Sequence, residues 1–543
     1  MAATIRQHWD VDALSDLDGA PISYGELAAA IARTHQVLMA GDIKPGDKVA
    51  ICAKNSMHWA ITFVSCLTYG AVAVPILHDF KPETIQKLVD HSDSKAVFVD
   101  DLIRRQLDIA LMPKVAGFFD IETGRPWKAR DKRLETAYDR IDQIIADVYG
   151  AVDKNNFSST YAIGANPDDI AIINYTSGST GQPKGVMLSY ESIWSNAKFA
   201  VDNIHFYQPG DGMVSVLPLA HMFGLLVELI FPLLKGCHIT FLGRVPSPKI
   251  LLDAFARIKP KMVVTVPLVI EKIVYNKVFP ALHKPLLKIL TRIPGINRLI
   301  FNKVRKQMID AFGGNLLQLI IGGAALSKDV ENFLLKIRFP YTVGYGMTEC
   351  GPLIAYCFWD KQKQGSCGRI VDRMQARVDS PDPAHIPGVL WVRGDNVMKG
   401  YYHNEEATRE VFDKDHWMNT GDICVLDPDG YLFIRGRDKS MILGPSGQNI
   451  YPEEIENKLN HLRFVAESVV VDRDGKLVAL VHPDLEGARK ARVSREKLDE
   501  IMDYNLTALN RELPAYSKVS AMELRDEPFE KTPKQSIKRF LYK

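Results

Sequence analysis

The feature that most constrains this chain is a repeated switch between two hydrophobic periods. Short continuous apolar runs, "KVAICA" (48–53), "KAVFVD" (95–100), "KMVVTVP" (261–267) and "LLQLIIGG" (316–323), have the length and β-branched content of buried strands. Between them stand amphipathic stretches such as "SMHWAITFVSCLTYG" and "ETIQKLVDHS", with the spacing of helices packed on one face. Strands that alternate with helices in this way predict layered α/β sheets with largely parallel strands.

With 543 residues, 46% hydrophobic and 24% charged, the chain has material for several cores. Its formal net charge of +2 gives no electrostatic reason to expect nucleic acid as a partner. Seven cysteines stand apart with no CxxC pair, which predicts reduced thiols and a cytoplasmic location. The N-terminus has no basic head followed by an apolar run, so no signal peptide is expected. "WAITFVSCLTYGAVAVPIL" (59–77) is long and uncharged, but Gly70 interrupts it. It reads as a buried helix, a turn and a core strand, not as a membrane span. "LPLAHMFGLLVELIFPLL" carries His221 and Glu228, which argues against a span there too.

The charged stretch 120–159, ending "RIDQIIADVYGAVDKNNFSS", reads as a surface helix plus linker. The texture changes after "GYLFIRGRDKS". There "PEEIENKLN" signals a short helix, and two β-rich runs flank the turn Arg473-Asp474-Gly475. A charged helix, "SREKLDEIMDYNLTALNREL", and a basic tail complete an α+β pattern of domain size. The expected organisation is a large domain over 1–437 and a small α+β domain over 438–543.

One loop is too poor in side chains to serve a core. "YTSGSTGQPKG" (175–185) follows the strand-like "DDIAIIN" and is built from glycine and hydroxyl residues, with Lys184 near its end. Successive backbone N–H groups in such a loop make a concavity for anions, and a lysine adds a point charge for phosphate. The loop is not a P-loop: Pro183 and Gly185 occupy the positions where that motif needs glycine and a hydroxyl.

This loop closely resembles the phosphate-binding signature of the ANL superfamily of adenylate-forming enzymes, which includes acyl-CoA synthetases, luciferases and peptide-synthetase adenylation domains. "LPLAHMFG" (217–224), "GGAAL" (322–326), "GYGMTE" (344–349), "WMNTGDICVLDPDGYLFIRGR" (417–437) and "GQNIYPEEIE" (447–456) follow in that family's order. The resemblance implies a large N-terminal domain of layered α/β sheets and a small mobile α+β C-terminal domain. It further implies a two-step reaction. A carboxylate attacks the α-phosphorus of ATP and expels pyrophosphate, and a thiol then displaces AMP.

Carried onto this chain, the resemblance assigns the phosphates to Thr176, Ser177, Gly178, Ser179, Thr180, Gly181 and Lys184. Gly323, Ala324 and Ala325 would let adenine approach the main chain. In the segment Gly344, Tyr345, Gly346, Met347, Thr348, the tyrosine would stack on adenine and Thr348 would contact the α-phosphate. Glu349 would hold Mg²⁺, a hard cation suited to carboxylate and phosphate oxygen. Asp422 and Arg437 match the family's ribose contacts, Lys439 its hinge, and His221 a gate beside the acyl group. The family's C-terminal catalytic lysine has no exact counterpart. Aligning Pro533 and Arg539 puts Gln535 on the family's glycine and Ser536 on its lysine. Lys534 and Lys538 flank that position, and either a register change of one or two residues delivers Lys534 or the tail is a plain basic face.

"LPLAHMFG" and "LGPSGQNIYPEEIE" look most like fatty acyl-CoA synthetases of the long-chain type. The expected substrates are therefore a medium- or long-chain fatty acid, ATP with Mg²⁺, and coenzyme A. "HMFGLLVELIFPLL" and "GPLIAYCF" are apolar enough to line an acyl tunnel, and equally apolar enough to be plain core. Three alternatives stay open on the sequence. An acyl carrier protein could replace coenzyme A, as in a fatty acyl-AMP ligase. Lys531, Lys534, Lys538 and Arg539 could touch such an acidic carrier or the inner face of a membrane. The chain could also be a noncatalytic nucleotide-binding relative.

Overall fold

The computed structural model describes residues 1–543 apart from 163–165, 178–182, 245, 444–448, 474, 532–536 and 543. The alternating runs become layered sheets. Among the described residues, the largest sheet has eight strands. At its centre Lys48–Cys52 lies between Val72–Pro75 and Ser94–Val99, parallel to both. Ile170–Ser177 adds parallel to Val72–Pro75, and Pro183–Ser189 then returns antiparallel beside it. Helix Met57–Tyr69 connects Lys48–Cys52 to Val72–Pro75 and ends at Gly70, whose φ of 87° few other residues adopt. The uncharged stretch 59–77 is thus the buried helix, turn and strand that its interruption predicts.

A second sheet orders Gly212–Ser215, His238–Phe241, Asp12–Asp16 and Ile22–Ser23. A third places Met262–Thr265, Gln318–Ile321 and Tyr341–Val343 in parallel. Not every layer is parallel. Met374–Asp379, Gly388–Gly394, Met418–Leu426 and Leu432–Arg437 form an antiparallel meander, with no helix between its last two strands.

The stretch 120–159 corrects the sequence reading. It holds a strand, Pro126–Ala129, and two helices, Lys132–Asp139 and Ile141–Tyr149, broken at Arg140. It is not purely surface either. Leu134, Ile141 and Tyr149 are buried on the apolar sides of helices that are charged elsewhere, and Phe157 is buried in the turns that follow.

The C-terminal residues build their own core. Hairpin Val465–Arg473/Lys476–Pro483 pairs with Val519–Leu524, and helices Pro452–Leu459 and Arg495–Glu512 cover one face. Among the described residues, two ion pairs join this part to the rest, Arg435 Nη1 to Glu454 Oε1 at 3.7 Å and His461 Nε2 to Glu271 Oε1 at 3.6 Å, and Gly436 packs close to Tyr451 and Glu453. Among the described residues, no helix is long and apolar enough to cross a membrane.

Candidate active site

The third sheet explains why two of the quoted motifs meet. "GGAAL" begins where Gln318–Ile321 ends, and "GYGMTE" begins where Tyr341–Val343 ends. Both are loops at the carboxyl edge of adjacent parallel strands, the edge at which open α/β sheets place ligands. Gly322 N–H donates to Thr265 O at 3.1 Å and Gly344 N–H to Ile321 O at 2.9 Å, which closes the edge. Gly323, with φ of 86°, Ala324 and Ala325 are exposed on it. At Gly346 a side chain is impossible, since a Cβ would lie 2.1 Å from Pro352 O.

The segment after Tyr345 is held by two buried asparagines. Asn196, on helix Tyr190–Asn203, donates to Cys350 O at 3.0 Å and accepts from Leu353 N–H at 3.0 Å. Asn396 donates to Cys350 O at 3.1 Å and Leu353 O at 2.6 Å. These bonds fix the turn Thr348–Cys350, which carries Thr348 and Glu349. Met347 N–H is tied to Pro352 O at 2.9 Å.

Glu349 is then reached from the other side. Its backbone carbonyl accepts from Met398 N–H at 2.8 Å, and its Oε1 accepts from the Tyr401 hydroxyl at 3.0 Å. Tyr401 sits in strand Gly400–Tyr401, paired with Pro183–Ser189 in the large sheet. On the same strand pair, Lys184 places its ammonium 4.9 Å from the Tyr401 ring centroid. Thr176 lies opposite Lys184 in the register, its hydroxyl 3.5 Å from Lys184 O. The phosphate-loop strands and the "GYGMTE" turn therefore share one wall, with Tyr401 as the joint.

The antiparallel meander contributes the other carboxylate. Asp422 and Arg437 are register partners, and Arg437 Nε lies 2.7 Å from Asp422 Oδ1. The Tyr345 hydroxyl donates to Asp422 Oδ2 at 2.5 Å. Burial pushes the Asp422 carboxyl above its ordinary value, an effect that Arg437 and Tyr345 oppose. Lys439 lies just beyond, exposed in the turn Asp438–Ser440.

His221 opens the helical run that starts at Met222, on a segment held by three polar residues. Asn55 donates to Leu217 O at 2.7 Å and accepts from Leu219 N–H at 2.9 Å. Asn174 donates to Ala220 O at 2.8 Å. Glu228, fully buried one π-helical stretch later, accepts from Val216 and Leu217 N–H at 3.0 and 2.9 Å. Phe223 fills the space over Gly322, so the His221 segment abuts the adenine-side loop. Most of "HMFGLLVELIFPLL" and "GPLIAYCF" packs into the main core.

The structure thus gathers Thr176, Lys184, Glu349, Tyr345, Asp422 and Arg437 into one polar wall, with Gly323–Ala325 and the His221 segment beside it. Gly178, Ser179, Thr180, Gly181, Lys534 and Ser536 lie outside the described residues. Ser177 ends strand Ile170–Ser177. Lys538 pairs with Glu530 at 3.2 Å, and Arg539 with Glu456 and Glu453, so both are engaged within the C-terminal part. Sequence reasoning missed Tyr401, Asn196 and Asn396. Tyr401 lies outside every quoted motif. An asparagine inside a helix, as at 196, is a weak signal of a polar task.

Glu349 fits a magnesium site of the kind completed by substrate. Among the described residues, no group of three or more His, Cys, Asp or Glu could hold a metal ion alone. A single oriented carboxylate beside a phosphate site is the arrangement Mg²⁺ takes, with phosphates and waters as its other ligands.

A family model described as AMP-binding enzyme matches residues 1–402, and one described as AMP-binding enzyme C-terminal domain matches residues 439–542. This chain belongs to the AMP-binding enzyme family. Among curated relatives, the peroxisomal long chain acyl-CoA synthetase 7 of Arabidopsis thaliana is 28% identical over 495 residues, covering 86% of this chain and 69% of that protein. Long-chain-fatty-acid–CoA ligase 5 of Rattus norvegicus is 29% identical over 501 residues, covering 86% and 71%. Among solved structures, ATP-bound MatB from Rhodopseudomonas palustris superposes with a TM-score of 0.76 at 24% identity, covering 99% of this chain and 98% of that one. A Mycobacterium tuberculosis fatty acyl CoA synthetase gives a TM-score of 0.66 at 22% identity, covering 99% and 97%. The fold is that of this family's large domain and separate C-terminal domain. Ligase chemistry with ATP, Mg²⁺ and coenzyme A is consistent with that membership.

Proposed function

We propose that the protein is an AMP-forming acid–thiol ligase that activates a medium- or long-chain fatty acid to its acyl-adenylate and transfers the acyl group to coenzyme A. The observation that carries this reading is the junction at Tyr401, which sets Lys184 and Glu349 on one wall. Cationic and carboxylate groups so placed suit a triphosphate with its metal ion. The long-chain acid is supported by the names of the relatives, at 28–29% identity.

In this reading Gly323–Ala325 and Tyr345 flank adenine. Asp422 accepts from the ribose hydroxyls while Arg437 holds that carboxylate and reaches toward phosphate. Thr176, Lys184 and the glycine loop stabilise the departing pyrophosphate, and Thr348 contacts the α-phosphate. Glu349 would hold Mg²⁺ together with the phosphates, and the ion would supply charge neutralisation there. A fatty acid is ionised at neutral pH and needs no general base, so the protein's task is alignment and electrostatics. His221 closes the acyl side. The domains meet at Asp438, and rotation about Lys439 exchanges the two half-reactions.

The test is fatty-acid-dependent ATP–pyrophosphate exchange run beside an acyl-CoA assay over acids of graded length. Exchange and acyl-CoA formation that both peak with medium or long chains are expected. Exchange without acyl-CoA would give the acceptor role to a carrier protein. No exchange with any acid would make the chain a nucleotide binder and overturn the reading.

A further inference from the structure

The chain as a whole is nearly neutral, yet the 35 residues from Lys272 to Lys306 hold nine lysines and arginines and not one acidic residue. The rest of the molecule is therefore net negative, and positive charge is concentrated in one segment. That segment is also the least buried long stretch of the large domain. It leaves the third sheet as helix Pro267–Ile273, continues as a π-helical turn and helix Phe279–Leu282, then folds back through Pro285–Leu290 into Ile296–Ala311. No residue from Tyr275 to Ile300 is buried.

Its apolar residues point the same way. Leu286, Ile289, Ile293, Ile296 and Leu299 are all exposed, the first and last at 69% and 71%. A single exposed leucine needs no explanation, but five within fourteen residues do. They alternate with Lys288, Arg292 and Arg298. Among the described residues, none of the nine cations of this segment forms an ion pair, although more than thirty pairs form elsewhere. Charges without internal counterions, interleaved with apolar side chains standing in water, are the makings of an amphipathic interfacial anchor.

We propose that the face built by residues 284–306 docks on the surface of an anionic lipid bilayer, with the leucines and isoleucines entering the headgroup boundary and the cations facing lipid phosphates. A bilayer suits this face better than an acidic protein. The five apolar side chains stand exposed to water, Leu286 and Leu299 by more than two thirds, and a lipid surface demands no matching shape. Each cation near such a surface contributes about fivefold in partitioning. The docking also serves the reading given above without depending on it. Helix 267–282 starts just after Val266, which packs against Gly323, and spans ~24 Å at 1.5 Å per residue, which links the bilayer to the adenine-side loop of the candidate site.

The test uses the full chain in flotation with phosphatidylcholine vesicles, with and without phosphatidylglycerol, at low and high salt. One variant combines Lys288→Glu, Arg292→Glu and Arg298→Glu; a second combines Leu286→Ser, Ile289→Ser and Leu299→Ser. The wild type should float with anionic vesicles, bind neutral ones about tenfold less, and detach in high salt. Each triple variant should partition about tenfold less or lower, with unchanged circular dichroism and unchanged ATP–pyrophosphate exchange on a short soluble acid. The proposal fails if the wild type stays below both vesicle types at low salt, or if both variants float as the wild type does. It fails equally if only an acidic protein, and no vesicle, retains this face. Flotation does not read catalysis, so an inactive enzyme that still floats would sink only the proposed function.

Discussion

The Tyr401 hydroxyl donates to Glu349 Oε1 at 3.0 Å, while the ring of the same tyrosine lies 4.9 Å beneath the Lys184 ammonium. One side chain therefore orients both the candidate metal carboxylate and the candidate pyrophosphate lysine. Burial, followed by the negative charge of Glu349, pushes the Tyr401 phenol far above its ordinary value, so it stays a donor at every working pH. Tyr401→Phe keeps the ring under Lys184 and removes only the bond to Glu349. A hydrogen bond to a charged group is worth about 1.5–3 kcal/mol, so kcat/KM for MgATP in pyrophosphate exchange should fall roughly tenfold to a hundredfold. Glu349→Gln should fall further. Unaltered kinetics in Tyr401→Phe would remove Tyr401 from the site.

Asp422 is buried and paired on both oxygens, to Arg437 and Tyr345. Asp422→Asn leaves Arg437 without its counter-charge and gives the nucleotide a weaker acceptor. Titration calorimetry with ATP should show affinity lower by about tenfold or more. Tyr345→Phe removes a single hydrogen bond and should weaken ATP less than Asp422→Asn does. The reverse order would place the ribose contact elsewhere.

Glu228 accepts two backbone N–H bonds through Oε2, whereas its buried Oε1 has no hydrogen-bond partner among the described residues. Burial pushes this carboxyl well above its usual range, against the pull of those donors. A folded-state value above the unfolded one makes its contribution to stability full below about pH 4.5 and progressively lost as pH rises. Glu228→Gln keeps an acceptor at Oε2 without a charge, and should change stability by less than about 1 kcal/mol at neutral pH. Glu228→Ala leaves two donors unmet beside a cavity and should cost about 3 kcal/mol. Urea denaturation of both variants checks the contrast. Equal losses would mean that the carboxylate charge itself holds the His221 segment.

The sequence was most readable where chemistry demands a particular backbone. Gly346 had to be glycine because a neighbouring carbonyl leaves no room, and Gly70 because its φ is positive. The strand runs of the large sheet, the helix at 57–69 and the C-terminal hairpin follow their hydrophobic periods. Stretch 120–159 was harder to read because its surface charge masks one narrow apolar stripe per helix. The joint at Tyr401 was illegible for a different reason. It depends on a short strand that pairs with residues more than two hundred positions earlier, and no local pattern encodes a partner so distant. The two asparagines that hold the "GYGMTE" turn are of the same kind, set by tertiary contact alone.

The contact between His461 and Glu271 yields the last prediction, because it joins the C-terminal part to the large domain. His461 Nε2 lies 3.6 Å from Glu271 Oε1, its ring 5.6 Å from that of Tyr275, and its Nδ1 meets the Asn457 carbonyl. Glu271 also accepts from Ser327 N–H at 2.8 Å, so the carboxylate is fixed in place. Burial would lower the imidazole's affinity for a proton. Glu271, the Asn457 carbonyl and the nearby Asp329 outweigh it, and the net direction is upward from 6.5. A raised histidine stabilises the docked arrangement fully below pH 6.5 and loses that stabilisation as pH climbs through the folded-state value. Hydrogen exchange over residues 457–465 and 268–275 should therefore speed up, beyond its intrinsic pH dependence, over a window that opens at about pH 6.5 and extends upward. His461→Gln should exchange fast at every pH in that window, and Glu271→Gln should abolish the pH step. A pH step that survives both substitutions would show that another group governs how the two parts separate.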